Sequence, residues 1–290
     1  MTARILDGAA LAAQIREDLS KRVAELAGAG VQPGLGTVLV GDNPASATYV
    51  RLKHSDSAEI GIASFGEHLP TSASQAEVEA VIRRFNADPA IDAFLVQVPL
   101  PKGLDEAAAL LAVDPDKDVD GLHPVNLGRL VMGAPGPLAC TPSGILELLV
   151  HYGVEVEGRH VVIVGRGLTI GRPLALLLAL KRPRCNAAVT VVHTGVADLG
   201  RYTRQADVLV AAAGSPGLIK ADMVKPGAAV VGAGVTIEGK NRLVSDVEES
   251  VAEVAGWVTP RVGGVGPMTR AMLLSNCVLA AERRVSSPSA

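Results

Sequence analysis

Aromatic residues are scarce in this chain: three Phe, three Tyr and one Trp among 290 residues. Stacking on bases or sugars is therefore not a theme of its recognition chemistry. Cysteine is equally sparse. Cys140, Cys185 and Cys277 stand far apart, with no CxxC and no Cys/His cluster. That argues against a zinc site and against a disulfide framework, and scattered single thiols fit a reducing compartment. There is no excess of positive charge: the formal net charge is −3, which gives no support to a nucleic-acid or anionic-membrane surface. Long apolar runs are missing too. No run exceeds that of Leu174 to Leu180, far short of a bilayer span. The N-terminal MTARILDGAALAAQIREDL carries charges throughout and does not read as a signal peptide. A soluble cytoplasmic protein is the expectation. With 48 % hydrophobic and 20 % charged residues, the chain has ample core material for one large or two medium domains.

The apolar pattern alternates between two periods. Leu11, Ile15, Leu19, Val23 and Leu26 recur at helical spacing, closed by Gly28 and Gly30. LGTVLV (Leu35 to Val40) predicts a buried strand. GDNPAS then turns into a helix, with Pro44 suited to its first turn and an end near Gly61. Ser74 and Glu77 form a capping-box signal for a helix through Phe85, and Ile91 to Val98 predicts the next strand. GAPGPLACTP (Gly133 to Pro142) looks like a crossing between domains, with Thr141 and Pro142 as N-cap and first residue of the helix SGILELLVHY. Further strands are expected at HVVIVG, AVTVVH, DVLVAAAG and AAVVGAG, and a last helix from about Pro267 to Arg284. Such alternation predicts α/β architecture with parallel strands. The tail VSSPSA is expected to be disordered.

The stretch VVIVGRGLTIGRP places Gly165, Arg166, Gly167, Ile170 and Gly171 between a strand and a helix. That layout aims backbone N–H groups and a helix N-terminus at phosphate, although a plain βα turn would look similar. An NAD site expects an acidic residue at the end of the next strand. Here the strand ends in His193 and Thr194, and Arg166 lies in the loop. A guanidinium and a hydroxyl suit a 2′-phosphate, so NADP is the expected cofactor.

Other candidates sit at or just beyond strand ends. Gln97 lies near the end of an apolar strand, where an amide is costly unless something bonds to it. Asp116, Asp118 and Asp120 lie beside Gly121, His123 and Asn126. The spacing resembles a calcium loop, but the twelfth-position glutamate is absent, and a solvated acidic turn is the plain alternative. RVGGVGPMT leads a glycine loop into the last helix and permits close backbone approach to a flat ligand. Tyr49 and Lys53, at i and i+4, share a helix face. Beside Gln97 in a partly dry pocket, the Lys53 amine would have a lowered pKa and act as base or proton relay. On a solvated helix it would be inert.

Together these segments resemble the bifunctional methylenetetrahydrofolate dehydrogenase/methenyltetrahydrofolate cyclohydrolase (FolD) family. The resemblance runs from Leu6 to the final helix. It is carried by YVRLK at Tyr49, VQVPLP at Val96, DKDVDGLHPVNLGRL at Asp116, CTPSG at Cys140, GRGLTIGRP at Gly165 and GGVGPMT at Gly263. It implies two α/β domains flanking a cleft. Residues 1–140 and 268–290 would form the folate-binding catalytic domain, and 141–267 a Rossmann-like NADP-binding domain, with the last helix returning to the first. It implies hydride transfer from 5,10-methylenetetrahydrofolate to NADP, then hydrolysis of the methenyl product to 10-formyltetrahydrofolate, in one-carbon metabolism serving purine biosynthesis. Lys53 would be the key catalytic group, Tyr49 would orient folate and lysine, Gln97 would hold the lysine's protonation state, and Asp120 would bind the pterin. Gly263, Gly266 and Pro267 would lie beside folate. Gly165, Arg166, Gly167, Ile170, Gly171, Thr194 and Gly214 would hold NADP. No metal is implied. A homodimer through the NADP domain is implied, and no fused formyl-folate ligase domain is expected.

The chain departs from the family pattern in four places. Gly232-Ala233 replace the usual Ile-Asp, Val262 a proline, Gly167 a serine after GR, and Val196 a threonine. Because three of the four changes lie on the cofactor side, with Val262 beside the folate, a member retaining only the cyclohydrolase activity is the alternative. A folate-binding protein without turnover and an amino-acid dehydrogenase are further readings, disfavoured by the intact Tyr49/Lys53/Gln97/Asp120 set.

Overall fold

Two parallel sheets organise the chain. The computed structural model describes residues 2–238 and 242–286. By its internal contacts the chain divides into two units. Gln14–Arg129, Pro135–Leu138 and the chain from Arg270 onward form one; the residues through Ala13, Leu130–Ala134 and Ala139–Thr269 form the other. Among the described residues no helix is long and apolar enough to cross a membrane.

Strand β1 (Arg4–Ile5) and helix α1 (Gly8–Gly28) open the chain, and β2 (Gly34–Val40) is buried throughout. Helix α2 (Pro44–Glu59) starts where the proline requires. Asn43 caps it, its side chain accepting from Ala45 N at 3.0 Å and Ser46 N at 3.1 Å, a cap worth about 1 kcal/mol. The buried residues of α2 are Ser46, Asp56 and Ser57, so polar contacts rather than an apolar stripe seat this helix. Next come β3 (Ala63–Leu69), α3 (Gln75–Ala87) and β4 (Ala93–Val96). The Ser74/Glu77 capping box is formed in both directions. The sheet order is β3-β2-β4, all parallel. Phe94 packs on Phe85 edge to face at 5.5 Å, in a core with Val38, Val78, Ile82 and Ile91. Helices α4 (Glu106–Leu111) and α5 (Pro124–Met132) follow.

Helix α6 (Cys140–His151) begins one residue before the predicted cap. Ala139 is its N-cap, without a side-chain bond. The Thr141 hydroxyl instead pairs with that of Thr269 at 3.0 Å. Then β5 (His160–Val164), α7 (Gly171–Ala179), β6 (Ala188–Val192), α8 (Gly200–Thr203), β7 (Val208–Ala211) and β8 (Ala229–Gly232) alternate as expected. A hairpin of β9 (Val235–Glu238) and β10 (Arg242–Ser245) and the short β11 (Trp257–Val258) precede helix α9 (Val265–Ser286). The second sheet has the order β1-β11-β8-β7-β5-β6, every pair parallel. The N-terminal segment, expected in the first domain but not as a strand, thus belongs to this sheet: Arg4 and Ile5 pair with Trp257 and Val258. Of the expected disordered tail, Val285 and Ser286 close α9, and residues 287–290 lie outside the described residues.

Candidate active site

The helix that carries Lys53 brings it to the end of the β4 strand. Lys53 Nζ donates to Gln97 Oε1 at 3.1 Å. The amide's other end donates to the Val98 carbonyl at 2.8 Å, and Gln97 N reaches Val38 O at 2.8 Å. Flipping the amide would aim its NH₂ at the ammonium and its oxygen at a carbonyl. Both bonds would be lost, so the acceptor stays on Lys53. Ser57 Oγ donates to Lys53 O at 2.8 Å, tying the helix backbone at the lysine. Tyr49, one turn earlier, is 54 % exposed, a large ring with no core role in a chain short of aromatics.

The acidic run 116–120 is not the solvated turn that was its plain alternative; its three carboxylates have separate fates. Asp116 is exposed and pairs with Arg129 at 2.7 Å. Asp118 is buried. It accepts from Gly121 N at 3.1 Å, His123 N at 2.8 Å and Asn126 Nδ2 at 3.0 Å, which organises the turn beyond it. Burial pushes the Asp120 carboxyl above the usual range, with the Lys53 charge opposing and Asp118 adding to the rise.

In the other unit, the glycine turn follows β5. Gly165 has φ +121, and a Cβ there would overlap the Ala212 carbonyl; a Cβ at Gly171 would overlap the Gly165 carbonyl. Only glycine permits so tight a turn. Ile170 precedes α7 as its N-cap residue. A cavity of about 350 Å³ is lined by Gly165, Arg166, Gly167, His193, Thr194 and Ala213, among others. Arg166 and Thr194 therefore meet in one space, with no carboxylate among its lining residues. These residues fit the phosphorylated ribose of a dinucleotide: a guanidinium, a hydroxyl and a glycine turn at a helix start. Gly214 (φ +64) lies in the loop after β7. Gly263 (φ +83) precedes α9, whose first turn holds Gly266 and Pro267; a Cβ on Gly266 would meet nothing.

Two family models match the chain: the tetrahydrofolate dehydrogenase/cyclohydrolase catalytic domain over residues 6–120 and the NAD(P)-binding domain of the same family over 139–285. The "Bifunctional protein FolD" of Syntrophotalea carbinolica is 55% identical over 284 residues, 98% of each chain. The chain belongs to the tetrahydrofolate dehydrogenase/cyclohydrolase family. Among solved structures, a FolD enzyme from Campylobacter jejuni superposes with a TM-score of 0.94 at 42% identity, covering 97% of this chain and 99% of that one. A Trypanosoma brucei dehydrogenase-cyclohydrolase, solved with NADP cofactor and inhibitor, gives 0.92 at 39% identity, covering 99% and 100%.

Seen as a family member, the chain has residues near its site that the spacing of motifs did not reveal. His54 follows the lysine, its Nε2 2.7 Å from Thr37 Oγ1. Burial, and then the Lys53 charge, holds the imidazole below its ordinary value. Asp56, one turn beyond Lys53, is buried and lies 3.3 Å from Arg270 Nε of α9. Behind the Gly232-Ala233 departure, Asp246 does not line the cavity but is fully buried against the loop after β7.

Proposed function

We propose that the chain is a bifunctional one-carbon folate enzyme. It oxidises 5,10-methylenetetrahydrofolate to 5,10-methenyltetrahydrofolate with NADP and hydrolyses the methenyl compound to 10-formyltetrahydrofolate. The observation that carries this reading is the Lys53–Gln97 hydrogen bond at 3.1 Å.

In its neutral form Lys53 keeps one N–H on Gln97 and turns its lone pair to a water, from which it takes a proton during attack on the methenyl carbon. The substrate's own positive charge disfavours a second cation beside it, which assists that neutral form. Asp120 accepts two N–H bonds from the aminopyrimidinone edge of the pterin, which compensates the solvation its carboxyl has lost. The exposed Tyr49 ring covers the folate and holds it against the lysine. Gly263, Gly266 and Pro267 let backbone approach the flat ligand closely. NADP, when bound, supplies the hydride acceptor. Gly165, Gly167, Ile170, Gly171 and Gly214 shape its loops, and Arg166 with Thr194 takes the 2′-phosphate.

A paired assay of wild type and Lys53→Met tests the reading, scoring NADPH formation and loss of methenyl-folate absorbance separately. Wild type should do both, and the variant should lose hydrolysis most severely. Hydrolysis without NADPH formation by wild type would instead identify a cyclohydrolase on a dehydrogenase scaffold. A steady-state preference for NAD would overturn the assignment of Arg166 and Thr194. The enzyme is further proposed to be cytoplasmic, to serve purine biosynthesis and to form a homodimer through the nucleotide-binding domain. In support of the dimer, β6 lies at the sheet edge with Val191 exposed, and a row of unpaired edge groups invites a second copy. Sedimentation at micromolar concentration tests it.

A further inference from the structure

Successive backbone N–H groups that converge on one point form a nest, which ordinarily takes an anion. The loop after β7 has such a nest, and the protein fills it itself. Asp246 Oδ2 accepts from Ala213 N at 2.7 Å and Gly214 N at 3.0 Å, and Oδ1 accepts from Ser215 N at 2.7 Å. The Asp246 side chain is wholly buried. Its own N–H donates to Gly234 O at 3.1 Å and its carbonyl accepts from Ile219 N at 2.9 Å. A Cβ on Gly234 would overlap the carboxylate, so the glycine after Gly232-Ala233 is what makes room for it. Thr236 Oγ1, on the hairpin strand β9, also reaches Gly214 O at 3.2 Å.

This loop is one wall of the cofactor cavity. Ala212 and Ala213 line it together with Gly165, Arg166 and Thr194. The Ala212 carbonyl is also the group against which Gly165 must stay free of a Cβ. Fixing residues 213–215 therefore fixes the surface on which the glycine turn rests. We propose that Asp246 is a positioning residue for NADP: its carboxylate stands in the nest in place of an external anion and holds the loop and the glycine turn in binding-competent geometry. The nest N–H groups are then spent on the protein, and phosphate recognition is left to the glycine turn and Arg166. The hydrogen bonds of the Asp246 carboxylate all go to the loop after β7, so its effect should fall on NADP binding rather than on hydrolysis. The inference rests on the assignment of this cavity to NADP.

The test is a direct measurement of NADP affinity, by titration calorimetry without folate, for wild type, Asp246→Asn and Asp246→Gly. Methenyl-folate hydrolysis, which needs no nicotinamide, is measured alongside. Asn can satisfy fewer of the three donors and without charge assistance. It should weaken NADP about tenfold, as expected for roughly one lost charged hydrogen bond, while hydrolysis keeps at least half its rate. In Asp246→Gly the nest is empty, and added formate, a carboxylate small enough to enter it, should recover NADP affinity without changing wild type. Wild-type affinity in Asp246→Asn, a parallel loss of hydrolysis and NADP binding, or a folded Gly variant indifferent to formate would each overturn the inference. If the Gly variant does not fold, the Asn arm decides alone. Failure of wild type itself to bind NADP would instead remove the cofactor assignment.

Discussion

The region around Lys53 and the region around Gly165 are built in opposite ways. The first is made of side chains: an amine on a helix, an amide at a strand end and a carboxylate in a turn. The second is made of backbone: glycines that admit a carbonyl, and N–H groups held by a buried aspartate. The first tolerates change in its backbone surroundings but not in its functional groups. The second tolerates loss of single side chains better than the addition of one methyl carbon. The two regions should therefore respond to different kinds of substitution and on different reactions.

The sharpest break is Lys53→Met. It removes the group proposed to move a proton, so hydrolysis should fall on the order of 10²–10⁴-fold while NADP affinity in calorimetry stays near that of wild type. Gly165→Ala is the mirror experiment. Its φ of +121 and the Ala212 carbonyl both exclude a Cβ. Strain of about 1–3 kcal/mol should weaken NADP on the order of 10–100-fold and spare hydrolysis. Equal effects of either substitution on both reactions would dissolve the comparison.

A smaller effect sharpens it. Helix α2 is seated by polar contacts, and Arg270→Leu would leave Asp56 buried without its nearest cation. Urea unfolding should show a loss of about 2 kcal/mol. The double variant Asp56→Leu/Arg270→Leu should recover most of it, because two apolar groups need no partner. The smallest effect is a pH slope. The unfolded His54 takes its proton near 6.5, and the folded one only at lower pH. Below pH 6.5 the unfolded state thus binds more protons and stability falls as pH falls. His54→Gln has no proton to take there. Its melting temperature should drop less than that of wild type between pH 7 and pH 5 in calorimetry, and an identical drop would show that His54 titrates normally in the fold.

Much of this comparison was legible before any coordinates. Pro44 and Asn43 announced α2, and Ser74 with Glu77 announced α3, because caps act on neighbours in the chain. The cap at Thr141 was misread for the converse reason: its hydroxyl partner, Thr269, lies in a distant segment. Strand β1 was missed because two residues carry no periodicity, and its pairing with Trp257 and Val258 is non-local. The run Asp116, Asp118, Asp120 looked uniform and is not, since only the fold decides which carboxylate meets Gly121, His123 and Asn126.

By itself the sequence determined what short range controls. It put Tyr49 and Lys53 on one face of a helix, and it put glycines where a turn must run from strand to helix without Cβ atoms. It also left the end of the second nucleotide-domain strand without a carboxylate. Tertiary structure alone decided which way the Gln97 amide faces, that Asp118 is the carboxylate tied into the turn, and that Asp246 fills the nest beside the cofactor cavity. The physical reason is the same in each case. Burial and hydrogen bonding to residues far along the chain set what a polar group does, and neither is written in its neighbours.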